Sequence, residues 1–243
     1  MDERGGQDAD PLDGELRQRR AGQGENRLVP TAAVLVAVVA YALLPENLLF
    51  APRFVIAGVE VALLVALVVS NPRRLVRRTR VSRGASVLLA ATVIVTNLVA
   101  LGMLVRTLTQ PDAPPGPLLL GAMQVWLTNV VGFALLYWEL DRGGPVARRR
   151  LRRDELPPAD WRFSQDEVED NVAEVRATAS AVSGWVPVFV DYLYLSLTNS
   201  SAFSPTDTMP LSTRAKALMG LQSTAALLTT LLVIARAVGS FGS

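Results

Sequence analysis

Few side chains in this sequence could do chemistry. Cysteine and histidine are both absent, which removes thiol nucleophiles, Ser-His-Asp triads, histidine bases, and haem or zinc sites built on those ligands. What remains is a small set of carboxylates, hydroxyls and amides placed inside apolar runs. Glu60 and Asp191 stand in such runs, where inserting a charge costs about 2.5–3.5 kcal/mol and a titratable or ion-binding role is the default. Glu60 has three readings: its side chain reaches outward to water, pairs with Arg106, or carries a proton or cation. Glu139 and Asp141 close another run beside Trp138, where arginines such as Arg142 can pair with them.

The second set lies in one short stretch: Ser196, Thr198, Asn199, Ser201, Thr206 and Asp207. Hydroxyls with one carboxylate at a helix-to-loop junction suit a weakly selective cation path, and Asp207 repeated around a homo-oligomer would form an acidic ring. The plainer reading makes Ser204-Pro-Thr-Asp207 a polar turn that caps the following helix. Amides at Asn97, Gln124, Asn129 and Gln222 suit hydrogen bonds between helices. No glycine-rich phosphate loop or metal-ligand spacing is present. The sequence therefore predicts no catalytic residue, cofactor or metal, and a chain that is not an enzyme.

The elements that must position these groups are apolar and long. Half of the 243 residues are hydrophobic and the mean hydropathy is positive, which suits a bilayer better than water. A helix needs about 20 apolar residues to cross the hydrocarbon core. Six stretches come near that length, at about residues 28–44, 54–70, 85–105, 118–138, 185–203 and 213–238. Prolines at 30, 45, 52, 72 and through the 110–117 segment mark their ends. The fifth is the weakest, broken by Pro187 and Asp191. The fold class predicted is all-α, a polytopic transmembrane bundle of about six helices. Residues 1–27 read as a disordered cytoplasmic tail, 28–140 as a four-helix membrane region, 141–184 as a cytoplasmic connector and 185–243 as a helical hairpin.

Arginine placement gives the orientation. Of 24 basic residues only Lys216 is a lysine. Arginines 73, 74, 77, 78, 80 and 83 crowd one loop, and 142, 148, 149, 150, 152 and 153 crowd the start of the connector, while the loops around Glu46 and Asp112 are nearly free of them. Basic residues collect in short cytoplasmic loops, so these segments and both termini are expected inside. A crossing fifth stretch would then put residues 204–211 outside. Contact with anionic lipid headgroups is the expected partner of the arginines, and with no basic soluble fold between the apolar runs, nucleic acid is not. Within the connector, Ser164-Gln-Asp-Glu167 has capping-box spacing, and Val168, Val172, Val175 and Ala179 share one helical face. A short amphipathic helix follows.

Two resemblances add to this reading. The segment Phe189-Val-Asp-Tyr-Leu-Tyr-Leu-Ser-Leu-Thr-Asn-Ser200, continued to Lys216, resembles the pore region of potassium channels. Asp191 and Asp207 stand at the family's spacing, with Leu193, Tyr194, Ser196, Thr198 and Pro210 also in place. The filter is degenerate: where the family has Thr-Val-Gly-Tyr-Gly, this chain reads Ala202-Phe-Ser-Pro-Thr206. Such a filter lines its axis with the carbonyls of a glycine-dependent backbone, so the resemblance implies a channel-like hairpin without that filter. The same region, with Tyr137-Trp-Glu-Leu-Asp141, Gly143-Gly-Pro145 and Asp160-Trp-Arg-Phe-Ser-Gln165, is similar to an uncharacterised family of bacterial multi-pass membrane proteins. That likeness implies a bacterial cytoplasmic-membrane location and a six-helix bundle.

Three functional expectations follow. The first is a membrane protein with a channel-like carboxyl-terminal hairpin that conducts or binds a small ion. The second is a proton-coupled secondary transporter working through Glu60 and Asp191, although the halves show no internal repeat of the kind such folds carry. The third is an assembly or sensor protein acting through the connector.

Overall fold

The computed structural model of the chain describes residue 25 and residues 28–49, 57–62, 64–65, 80–108, 115–167, 172–201 and 208–241. The tail except Glu25, arginines 73 to 78, Val168, Thr206 and Asp207 lie outside the described residues.

The chain is mostly helical. The long helices are α1 (Leu28–Ala42), α2 (Arg80–Leu108) and α3 (Pro115–Leu140). Next come three short ones, α4 (Pro145–Arg150), α5 (Ala173–Arg176) and α6 (Ser180–Ser183). Then follow α7 (Phe189–Ser200) and α8 (Thr213–Phe241). Residues 57–62 and 64–65 are also helical. Their ends follow local chemistry. Pro30 and Pro115 sit in first turns, where a missing N–H costs nothing. Ser212 caps α8, its Oγ accepting the Ala215 N–H at 3.1 Å. Among the described residues, the stretches Arg83–Thr107, Gly116–Gly143 and Thr213–Arg236 are long and apolar enough to cross a membrane, and α1 is a shorter apolar helix. This fits a membrane location.

Helix α3 is the spine, with α1, α2, α7 and α8 all packed on it, and its span is 72% buried against 28% for that of α8. Contacts along α3 give each helix its direction. Around the carboxyl end of α3, one core joins Leu89, Ala90 and Val93 of α2 to Phe133, Ala134 and Tyr137. Around its amino end, a second joins Tyr41, Leu44 and Leu48 to Leu101, Leu104, Leu118, Ala122 and Ala225. Helices α1 and α2 therefore run from the connector end to the far end, opposite to α3. So does α8, from Met219 beside Trp161 to Ala225 among the far-end residues.

The fifth stretch departs from expectation. Helix α7 has 12 residues, which at 1.5 Å each span about 18 Å of a core about 30 Å thick. It too starts at the connector end, where Tyr192 meets Asp141, and its last residue, Ser200, meets α3 at Trp126 and Asn129. The next described residues are back at the connector. Met209–Pro210 (β2) pair antiparallel with Trp161–Arg162 (β1), in the register Trp161 opposite Pro210 and Arg162 opposite Met209. Residues 209–211 therefore share the connector's side, where a fully crossing fifth helix would have put them opposite. The physical reason is Asp160, whose carbonyl accepts the Leu211 N–H at 2.8 Å and whose carboxylate accepts from Ser212 and Arg214.

The connector's amphipathic helix is also corrected. Ser164–Asp166 form a single 3-10 turn that ends at an extended Glu167, and the next helices among the described residues are the four-residue α5 and α6. The capping carboxylate is Asp166, not Glu167. It accepts the Phe163 N–H at 3.1 Å and is drawn to Arg142 by an ion pair, which fixes the turn where it stops. Val172 and Val175 are exposed.

Candidate functional site

Two polar clusters are stacked along α3, one inside the bundle and one at the connector end. The inner cluster centres on Gln222 of α8, which is fully buried. Its Nε2 donates to the Ser196 carbonyl at 3.0 Å and to the Ser196 and Ser200 hydroxyls. Its Oε1 accepts from the Tyr137 hydroxyl at 2.6 Å and from Asn199 Nδ2 at 2.9 Å. Ser196 in turn donates to the Val130 carbonyl at 2.6 Å. Asn129 Nδ2 donates to the Gln222 carbonyl, and the Ser223 hydroxyl to Asn199 Oδ1. Helical periodicity puts Ser196, Asn199 and Ser200 on one face, and three helices satisfy that face in a low-dielectric setting where unpaired groups are costly.

The ion-path residues read from the sequence therefore divide. Ser196 and Asn199 are hydrogen-bonded within this network. Thr198 and Ser201 bond their own helix, to Tyr194 and Leu195 carbonyls and to the Leu197 carbonyl respectively. Thr206 and Asp207 lie outside the described residues. Asp191 is at the start of α7, where its Oδ2 accepts the Val188 N–H at 2.7 Å as a helix cap. Glu60 is in the helical segment of residues 57–62, whose Ala57 shares a core cluster with Val34, Ala37 and Val38 of α1.

The outer cluster is built on a turn. Arg142, Gly143 and Gly144 have φ of 50°, 80° and 92°, and a Cβ on Gly144 would lie 3.1 Å from the Glu139 carbonyl oxygen. Only glycine fits there without strain. Pro145 then opens α4, which folds back under α3 and buries Arg148 to 1% exposure. Arg148 Nη1 donates to the carbonyls of Trp138 and Asp141, each at 2.8 Å, closing the carboxyl end of α3. Its guanidinium lies 4.9 Å from the Tyr192 ring centroid, a cation–π contact that offsets part of the lost hydration.

Asp141 is the hub of this cluster and is fully buried. Its carboxylate accepts the Tyr192 hydroxyl at 2.6 Å and the Asp160 N–H at 2.8 Å, with Arg142 Nε at 3.4 Å. Aromatic rings close around it, with Trp161 4.7 Å from Tyr137 and Phe163 5.4 Å from Tyr192 between centroids. Glu25 joins from the amino-terminal side. Its Oε1 accepts the Phe189 N–H at 2.7 Å and the Trp138 indole N–H at 3.0 Å, so it caps α7 from 164 positions away. Burial pushes the Glu25 carboxyl up, against the lowering effects of Arg148 and these two donors.

The motifs singled out in the sequence, Tyr137 to Pro145 and Asp160 to Gln165, meet at this hub. Tyr192, Arg148, Arg214 and Glu25 were not expected there. Arg148 carried one signal, since it follows Gly-Gly-Pro by a helical turn and can reach back to cap α3. Among the described residues no group of three or more acidic side chains is placed to hold a metal. No family model, curated protein or solved structure matches the chain.

Proposed function

We propose that this chain is a six-segment membrane protein of the bacterial cytoplasmic membrane whose carboxyl-terminal third is a channel-like re-entrant unit for small cations. In this reading five segments cross and α7 does not. The observation that carries it is that α7 and α8 both leave from the connector end, with residues 208–211 returned to that end between them. A short helix that enters, a segment that returns and a long helix that crosses is the plan of a channel pore loop. With the arginine-rich end cytoplasmic, α8 carries the carboxyl terminus to the outer face. Both termini inside was the expectation when the fifth stretch crossed.

Because Ser196, Asn199 and Ser200 are hydrogen-bonded to Gln222, any ion path in this reading runs between copies of the chain. The exposed side of α8 suits such an assembly. Gly220 and Thr224 are exposed one turn apart, and nothing lies within 4 Å of a Cβ at Gly220, a surface that lets helices approach closely. The test is cation flux in proteoliposomes. Wild-type protein is expected to pass monovalent cations, and Asp207→Asn to lower the flux several-fold. No flux at any imposed voltage would contradict the reading.

A further inference from the structure

We propose that Glu60 and Tyr41 form a proton-binding site in the amino-terminal helices, separate from the channel-like unit, with Glu60 held as the neutral acid and its proton exchangeable with solvent. Of the three sequence readings of Glu60, the structure removes two. The side chain does not reach water, being 1% exposed. Nor does an ion pair among the described residues join it to Arg106, which is exposed. Instead Ala57, Glu60 and Leu64 are buried in turn while Gly58, Val59, Val61, Ala62 and Val65 are exposed. The carboxyl thus sits on the inward apolar face, at the spacing of one helical stripe.

Two buried oxygens there lack a hydrogen-bond partner, Glu60 Oε2 and the Tyr41 hydroxyl. Tyr41 is buried among Leu44, Leu48, Leu104 and Leu118, near enough to Glu60 for the two to interact electrostatically. Among the described residues, α1 offers Tyr41 as a titratable neighbour, α3 carries no charged residue before Glu139, and the charged residues at this end, Glu46 and Arg106, are both exposed. An ionised carboxylate buried without cation or donor is far costlier than its protonated form. A metal cation would need about six oxygen ligands, and two do not supply them. The proton is the ligand that fits one acid oxygen and one phenol.

Infrared spectroscopy of the whole protein in lipid tests this. At neutral pH the wild type is expected to show a protonated-carboxyl C=O band that is absent in Glu60→Gln and shifted in Tyr41→Phe. On transfer to deuterated buffer the band should shift as the proton exchanges. Glu60→Gln keeps the size and neutrality of the acid, so its helical circular dichroism should match the wild type. A spectrum with no carboxyl band assignable to Glu60 would overturn the proposal. So would a Glu60 band that stays unshifted in deuterated buffer, which would mark a sealed structural acid. Cation flux through the carboxyl-terminal unit does not enter either result.

Discussion

At the scale of single residues, the chain places its polar groups so that each short-range role excludes a long-range one. Gln222 shows this best, since one side chain ties α8 to α3 and α7 through Tyr137, Ser196, Asn199 and Ser200. Gln222→Ala strands those partners in an apolar interior, and a loss of about 2 kcal/mol is expected, measured by denaturant unfolding in detergent with Tyr137→Phe losing about 1 kcal/mol. Glu25 supplies a pH dependence. Its carboxyl is raised above the ordinary range chiefly by burial, so the folded protein binds this proton more tightly than the unfolded chain does. Stability then falls as pH rises from about 4.3, the ordinary glutamate value, through the raised one. The thermal midpoint of the wild type should drop over that window, and Glu25→Gln should flatten the drop. None of this was legible in sequence, where Gln222 was one amide among several and Glu25 lay in a polar tail.

At the scale of elements, most of what the sequence predicted about helices holds, because long apolar runs ended by proline leave little choice. The stretches at 85–105, 118–138 and 213–238 correspond to α2, α3 and α8. The failures share a cause: they occur where one side chain with a distant partner overrides periodicity. Asp166 spends its carboxylate on Arg142, and the expected amphipathic helix stops at a 3-10 turn. Asp160 captures Leu211, Ser212 and Arg214, and the chain after α7 returns to the connector. The two-residue ribbon β1–β2 can be checked directly. Residues opposite one another in an antiparallel pair have Cα atoms about 4.5–5.5 Å apart, within disulfide range, and the native chain has no cysteine to interfere. Arg162→Cys with Met209→Cys should cross-link on mild oxidation, and Arg162→Cys with Leu221→Cys should not.

At the scale of the whole molecule, α3 is a buried spine whose connector end gathers Asp141, Asp160, Arg148 and the starts of α7 and α8. That gathering makes the fold asymmetric, with one end dense in arginines and hydrogen bonds and the other closed by the apolar turn around Leu48. Arginine placement could not report that residues 209–210, after the 12 residues of α7, pair with the connector, since composition alone gives length and not direction. Side-specific cysteine labelling in sealed vesicles decides the matter. Single cysteines at Glu155, in the connector, and at Leu211, after α7, are both at exposed positions, and the account expects a membrane-impermeant reagent to reach them from the same side. Cysteines at Glu46 and Ser240 should be reached from the opposite side. Labelling of Leu211→Cys together with Glu46→Cys, and apart from Glu155→Cys, would mean that α7 belongs to a complete crossing and would contradict the re-entrant unit.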